Sequence, residues 1–399
     1  MSIYDKASLV HIPSGVKSGT LYNVLPNTAD GDFDFTRGST ATRVNKDGLI
    51  ETVASGVPRL DYPLLDGVVQ DCPALLLEPT RKNECLYSKT LSSWSELSGG
   101  SLQTITNNDA IAPDGSLTAS TITFTGTGIS LLRQFTNKAY TSNKHSSSFY
   151  AKKISGNGSV FFGITDTETE FTPTDEWVRY EVNNVTPTNF GANLFLDLNF
   201  DCTAGDKIAV WGMQLEEGTY STSVIETSGS AVTRTADAAN GAEATFNDSE
   251  GVLMAEISSL DSDVAISLSD NTFNNSISFG VYLDKISAVV RKDGGFVTSG
   301  IIDTSTNAFN NNKIAIKYNS SSCDFYVNGF VVGSSSGVAY NSNVLDNLNF
   351  DRGSGHDDFY GKTKQLMTFN EALSDTELED LTSWDSFNEM ATEQLYTIE

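Results

Sequence analysis

Four prolines, Pro58, Pro63, Pro73 and Pro79, punctuate the later half of the stretch between Phe33 and Ser88 at intervals too short for a helix to grow. Each removes a backbone donor and crowds the preceding turn, so only short extended runs fit between them. One run, Ala74-Leu75-Leu76-Leu77, is wholly apolar and is predicted to be a buried strand. Upstream, Asn45-Lys46-Asp47-Gly48 separates TATRV from LIETV. That is a hairpin pattern, with Gly48 free to take a positive φ.

Short β-forming runs separated by Gly, Asn and Asp continue to the end of the chain. SLTASTITFTG, SLLRQFT, SSSFYAKK, VFFGITD, EWVRYEV, NLFLDLNF and KIAVWGMQLEEG read as strands of one β-sandwich of jelly-roll type over residues 89–237. VLMAEIS, SISFGVYLD, SAVVRKDG, KIAIKYNSSSCDFYVNGFVVG and LNFDRG give a second sandwich over residues 238–399, with Asn328-Gly329 at a tight hairpin. Ser374 and Glu377 form a capping box that starts a short helix carrying Leu378, Leu381 and Trp384 on one face. Ser386 to Gln394 suggests another. The expected fold is all-β: an irregular β-rich segment over residues 1–88, two sandwiches, and short C-terminal helices. The stretch Thr227–Ala239, rich in Ser, Thr, Gly and Ala, is expected to be a protease-sensitive link between the sandwiches.

The 399 residues carry 51 acidic against 25 basic side chains, a net charge of −26. Such a chain repels phosphate backbones, which argues against a nucleic-acid partner. Cys72, Cys85, Cys202 and Cys323 are dispersed, with no C-x-x-C pair of the kind a zinc site uses. Cys72 and Cys85 share one segment and could pair, but the expectation is of small buried hydrophobes. The opening MSIYDKASLVHIPSG lacks the basic and apolar regions of a signal peptide, and no apolar run reaches membrane-spanning length. A protein made in the cytoplasm, without membrane insertion, is expected.

The N-terminal motifs resemble those of phage virion fibre and appendage proteins (head fibre, head spike or tail fibre). The residues that carry this are Phe35, Arg37, Ser39, Ala41 and Thr42; Gly48 to Glu51; Pro58, Arg59, Asp61 and Tyr62; Leu75 to Pro79, Arg81 and Asn83; and Tyr87 with Ser88. Lys82-Asn83-Glu84-Cys85 departs from the family, which has Thr-Asn and an apolar residue there. Residues 89–237 resemble carbohydrate-binding-module-like domains. Residues 238–399 resemble concanavalin-A-like, laminin-G-like lectin domains, through the Phe359-Tyr360-Gly361 closing strand followed by Leu373, Ser374 and Glu377. The resemblance implies a structural protein on the virion surface, assembled in the bacterial cytoplasm. Its partners would be capsid, portal-proximal or tail components, further copies of itself as a dimer or trimer, and a host-surface glycan. Residues 1–88 would be the virion-attachment segment, removable without unfolding either sandwich.

Candidate site residues follow from chemistry. Arg37, Arg43, Arg59 and Arg81 lie among Asp34, Asp61 and Glu78. Planar guanidinium groups suit carboxylates, so these arginines either tie loops together or dock an acidic virion partner. The loop Asp351 to Asp358 alternates glycines with oxygen ligands. Its Asp351, His356, Asp357 and Asp358 could accept from sugar hydroxyls or hold calcium, the one cofactor considered; the alternative is a solvated turn. Trp94, Trp177 and Tyr180 could offer stacking faces, although Trp177 reads as core. No catalytic residues are expected. His11, His145 and His356 fall in no nucleophile or metal motif, and the E-x-D-x-x-E strand of concanavalin-like glycosidases is missing. Glu216-Glu217 and Asp357-Asp358 are adjacent pairs, which on a strand point to opposite faces. A polysaccharide-degrading enzyme and a purely structural decoration protein remain the alternatives.

Overall fold

The computed structural model describes residues 3–14, 16–17, 19–65, 68–98, 102–165, 167–188, 193–353 and 355–395. They form two antiparallel β-sandwiches with two short helices, Asp375–Thr382 and Phe387–Glu393, near the C-terminus. No helix among them is long and apolar enough to cross a membrane.

The middle sandwich stacks two five-stranded sheets. One runs Ser95–Ser98, Gly128–Ala139, Asn193–Cys202, Ser159–Ile164, Thr167–Phe171. The other runs Gln103–Ala110, Ala119–Phe124, Lys207–Glu217, His145–Ser155, Val178–Val185. Period-two alternation sends Leu132, Phe149, Phe162, Leu196, Leu198, Phe200 and Met213 into the space between them.

In the C-terminal sandwich a six-stranded sheet faces an eight-stranded one. The closing strand Gly361–Phe369 gives one edge to Gly251–Ser259. Its other edge is shared by two strands from the start of the chain. Ala7–His11 pairs with residues 366–369, and Ala74–Leu77 pairs with residues 361–363. Arg59–Asp61 then adds outside Ala74–Leu77. All four residues of Ala74–Leu77 are buried, as their apolar run requires.

The described residues of the 1–88 segment are therefore built into the sandwiches, contrary to the expectation of a separate segment. Leu9, Leu21, Phe33, Phe35, Leu75 and Leu77 belong to the C-terminal core, packed with Leu253, Ile266, Phe279 and Phe350. The hairpin Ala41–Val44/Ile50–Val53 turns at Gly48, φ 77°, and lies against the middle sandwich. There Ile50 packs with Trp211 and Val224, and Thr42 Oγ1 donates to the Val224 carbonyl at 2.7 Å. Asn83 Nδ2 donates to the carbonyls of Met213 and Ile225 at 3.2 and 2.7 Å. The physical reason is an open edge: without the N-terminal strands, Gly361–Phe369 would expose a row of unpaired backbone groups over an apolar core.

The stretch 227–239 is likewise no loose link. Val232–Arg234 pairs with Arg81–Asn83, and Ala238–Asn240 pairs with Phe33–Thr36. Thr227 and Ser88 exchange hydrogen bonds between backbone N–H and side-chain oxygen, at 2.8 and 3.0 Å.

At the C-terminal end, Ser374 and Glu377 form the expected capping box. Leu373, Leu378 and Leu381 pack on the back of the eight-stranded sheet. Asn328 and Gly329 turn the hairpin with φ of 50° and 86°. Cys85, Cys202 and Cys323 are buried; Cys72 is exposed, and all four are free thiols.

Candidate functional site

Two of the four arginines proposed for docking lie inside the protein. Arg37 and Arg59 have fully buried side chains, in a network where the N-terminal segment meets both sandwiches. Arg37 Nη1 donates to Asp237 Oδ1 at 2.9 Å, and Arg59 Nη1 to Glu78 Oε2 at 2.5 Å. Arg59 Nη2 also reaches Asp237. Arg234 Nη1 lies 2.8 Å from Glu78 Oε2, and the Ser223 N–H donates to Glu78 Oε1 at 2.7 Å. Burial by itself would raise the Glu78 pKa, but Arg234 and Arg59 outweigh it and hold the carboxyl below its ordinary range. The other two arginines are nearer the surface. Arg43 Nη2 pairs with Glu51 Oε1 at 2.6 Å, and the Arg81 guanidinium sits 4.9 Å from the Tyr220 ring centre. Arg37 and Arg59 present no charge to a docking partner; their role here is to join domains.

The Asp351 to Asp358 loop closes on itself. Ser354 lies outside the described residues. Asp351 is buried and accepts the N–H groups of Gly353 and Gly355 at 2.5 and 3.2 Å. Burial raises its pKa, against the pull of those two donors. Asp357 pairs with Arg352 at 3.0 Å, and Asp358 accepts from the Tyr360 hydroxyl at 3.2 Å. His356 is exposed, and its carbonyl accepts the Arg352 N–H. The loop thus consumes most of its own oxygen acceptors. Among the described residues, no group of three His, Cys, Asp or Glu side chains is placed to hold a metal ion. Asp351 does line one wall of a polar hollow of about 650 Å³, with Asp34, Asn240, Asn347 and Asn349.

The three aromatics considered for stacking are structural. Trp94 is buried with its Nε1 on the Tyr87 carbonyl at 3.1 Å. Trp177 donates to the Ile111 carbonyl at 3.0 Å and packs beside Trp211. Tyr180 leans on Phe149 and Phe171.

The surface with binding chemistry lies on the outer face of the middle sandwich, on the sheet that carries Gly128–Ala139 and Asn193–Cys202. Since Leu132, Leu196, Leu198 and Phe162 point inward, residues of the opposite parity point out. Register places them in rows: Phe135 opposite Phe195, Arg133 opposite Asp197, Leu131 opposite Asn199, and Ile129 opposite Asp201. Beyond them Gly163 faces Asp197 on one side and Glu168 on the other, while Phe161 lies between Asn199 and Glu170.

Arg133 fixes this face. Its Nε and Nη2 both lie 2.6 Å from the two Asp197 carboxylate oxygens, a bidentate fork. The same guanidinium sits 3.6 Å from the Phe195 ring centre. Phe195 is thereby covered to 5% exposure, while its edge-on neighbour Phe135 is left 53% exposed. Asn199 Nδ2 lies 2.8 and 2.7 Å from the Glu168 oxygens. Partial burial raises the Glu168 pKa; Asn199 opposes that and the Asp197 charge adds to it. Gly163 lets the neighbouring strand come close, since a β-carbon there would lie 1.8 Å from the Thr167 carbonyl oxygen.

A half-exposed aromatic ring on the same face as oriented carboxylates and amides is the equipment for stacking on a sugar's C–H face while accepting from its hydroxyls. The sequence shows SLLRQFT and NLFLDLNF as strands, but the Arg133–Asp197 and Phe135–Phe195 pairs exist only once register is known.

No family model matches the chain, and no curated protein matches it. Among solved structures, the CBM40 of a Ruminococcus gnavus IT-sialidase bound to α2,3-sialyllactose is similar at 14% identity, over 35% of this chain and 84% of that one, with a TM-score of 0.30. TmCBM61 in complex with β-1,4-galactotriose is similar at 13% identity, over 33% of this chain and 92% of that one, with a TM-score of 0.27. A leech intramolecular trans-sialidase is similar at 16% identity, over 37% of this chain and 27% of that one, with a TM-score of 0.30. Likeness this distant carries no argument about what the present chain binds.

Proposed function

We propose that this chain is a non-catalytic appendage protein of a phage virion, a head or tail fibre component, that contacts host-surface glycans through the outer face of its middle sandwich. The glycan reading rests on one observation: Phe135 stands half-exposed next to the Arg133–Asp197 row, with the Asn199–Glu168 pair further along the same sheet face. The virion reading rests on the motif run from Phe35 to Ser88. Its partners are capsid, portal-proximal or tail proteins and further copies of the chain. With no sustained heptads in the sequence, the copies are held by sheet and loop contacts instead of a coiled coil.

A second reading, hydrolysis by Glu168 and Asp197, draws on the raised Glu168 pKa. Binding is preferred because Asp197 has both oxygens on Arg133, and both Glu168 oxygens lie on Asn199. Neither is presented as a free acid or nucleophile.

The test is an antibody raised against the intact chain. It should decorate intact particles in electron micrographs and block their adsorption to host cells. Particles that carry the chain's gene yet take up no antibody would contradict the virion reading.

A further inference from the structure

The charges on this face select among glycans; the argument rests on the glycan-binding reading above. Four acidic side chains, Asp197, Asp201, Glu168 and Glu170, share the outward positions with one cation, Arg133. That cation is committed twice over, to the Asp197 fork and to the Phe195 ring. Asp201 and Glu170 are exposed, in neighbouring rows toward the Ile129 end of the face, away from Phe135. A ligand bearing carboxylate, sulfate or phosphate would bring its charge against these groups, on a chain whose net charge is already −26.

We infer that the ligand of this face is an uncharged glycan, its hydroxyls donating to the carboxylate and amide oxygens and one ring stacking on Phe135. Carboxylates that already accept from Arg133 and Asn199 keep further lone pairs, and a sugar hydroxyl is the matching donor. An amine-bearing sugar would find charge of the right sign, but at Asp197 that charge is balanced by Arg133, and both Glu168 oxygens already accept from Asn199.

The experiment uses the intact chain on an array of three sets of immobilised glycans. One set is uncharged (glucans, galactans, mannans), one acidic (polygalacturonate, hyaluronan, sialyllactose), and one amine-bearing (deacetylated chitin oligomers), each at low and high salt. Binding to members of the uncharged set, little changed by salt and weakened about tenfold by Phe135→Ala, is the expected result. Replacing the two exposed acids together (Asp201→Lys with Glu170→Lys) should raise binding to the acidic set severalfold at low salt. Phe135-dependent binding of wild type to the acidic or the amine-bearing set in preference to the uncharged one would overturn the charge argument and leave the glycan face standing. No binding to any set would overturn both.

Discussion

Arg37 Nη1 and Asp237 Oδ1 meet at 2.9 Å across 200 residues of chain, and neither side chain touches solvent. Asp237 also takes Arg59 and accepts the Glu78 N–H at 2.9 Å. One carboxylate thus holds the N-terminal segment against the passage from the first sandwich to the second. Removing one partner of such a network leaves buried charge uncompensated, at about 3–5 kcal/mol. Asp237→Ala should therefore lower the melting temperature by about 10 °C in calorimetry, given about 2–4 °C per kcal/mol for domains of this size. Asp237→Asn, which keeps the shape and some of the hydrogen bonds, should fall between the two. A melting temperature unchanged in both variants would remove the network from the account of stability.

Deleting residues 1–88 should unfold the C-terminal sandwich. The deletion strips Leu9, Leu21, Phe33, Phe35, Leu75 and Leu77 from its core and opens one edge of Gly361–Phe369. Each fully buried side chain of this kind contributes about 1.5–3 kcal/mol, so the six together match or exceed the ~5–15 kcal/mol that keeps a domain folded. The expected product is aggregated or dye-binding protein on gel filtration; a monodisperse fragment with a cooperative melt would contradict it.

Acid should loosen the N-terminal region through His11. This side chain is buried against Phe33, with Nδ1 3.0 Å from Asn23 Oδ1 and, among the described residues, no hydrogen-bond partner for Nε2. Burial lowers its pKa from 6.5 to about 4, against a smaller opposing effect of Asn23. Between those values the unfolded chain binds a proton that the folded one excludes, so stability falls as pH drops from 6.5 towards 4. The loss is about 3 kcal/mol at 1.36 kcal/mol per pH unit. Denaturation midpoints measured across this window should decline in wild type and decline less in His11→Gln. Parallel curves for the two proteins would assign the acid sensitivity elsewhere.

What the sequence disclosed was local. The Asn45–Gly48 and Asn328–Gly329 turns, the apolar run Ala74–Leu77 and the Ser374–Glu377 capping box each depend on neighbours a few residues away, and each is where its residues say. Pairing of Ala7–His11 with residues 366–369 joins segments from opposite ends of the chain and leaves no local mark on either, so residues 1–88 read as a separate unit. The stretch Thr227–Ala239 misled for a related reason. Its Ser and Thr looked like linker chemistry, while Thr227 and Thr235 find their partners in Ser88 and Ser39, far off in the chain. The aromatic platform stayed hidden because a face appears only when register aligns Phe135 with Phe195 and Arg133 with Asp197. The glycine- and aspartate-rich loop at Asp351 drew notice instead, and its carboxylates are largely occupied by its own backbone, Arg352 and Tyr360.

The most direct test of the glycan face is titration calorimetry of the intact chain with an uncharged oligosaccharide taken from the array, alongside Phe135→Ala. Phe135 is half-exposed, so its removal should leave the melting temperature nearly unchanged. Losing one stacking ring, worth on the order of 1–1.5 kcal/mol, should weaken binding about tenfold. Equal affinity in wild type and Phe135→Ala, with both proteins folded, would place the binding site away from this face.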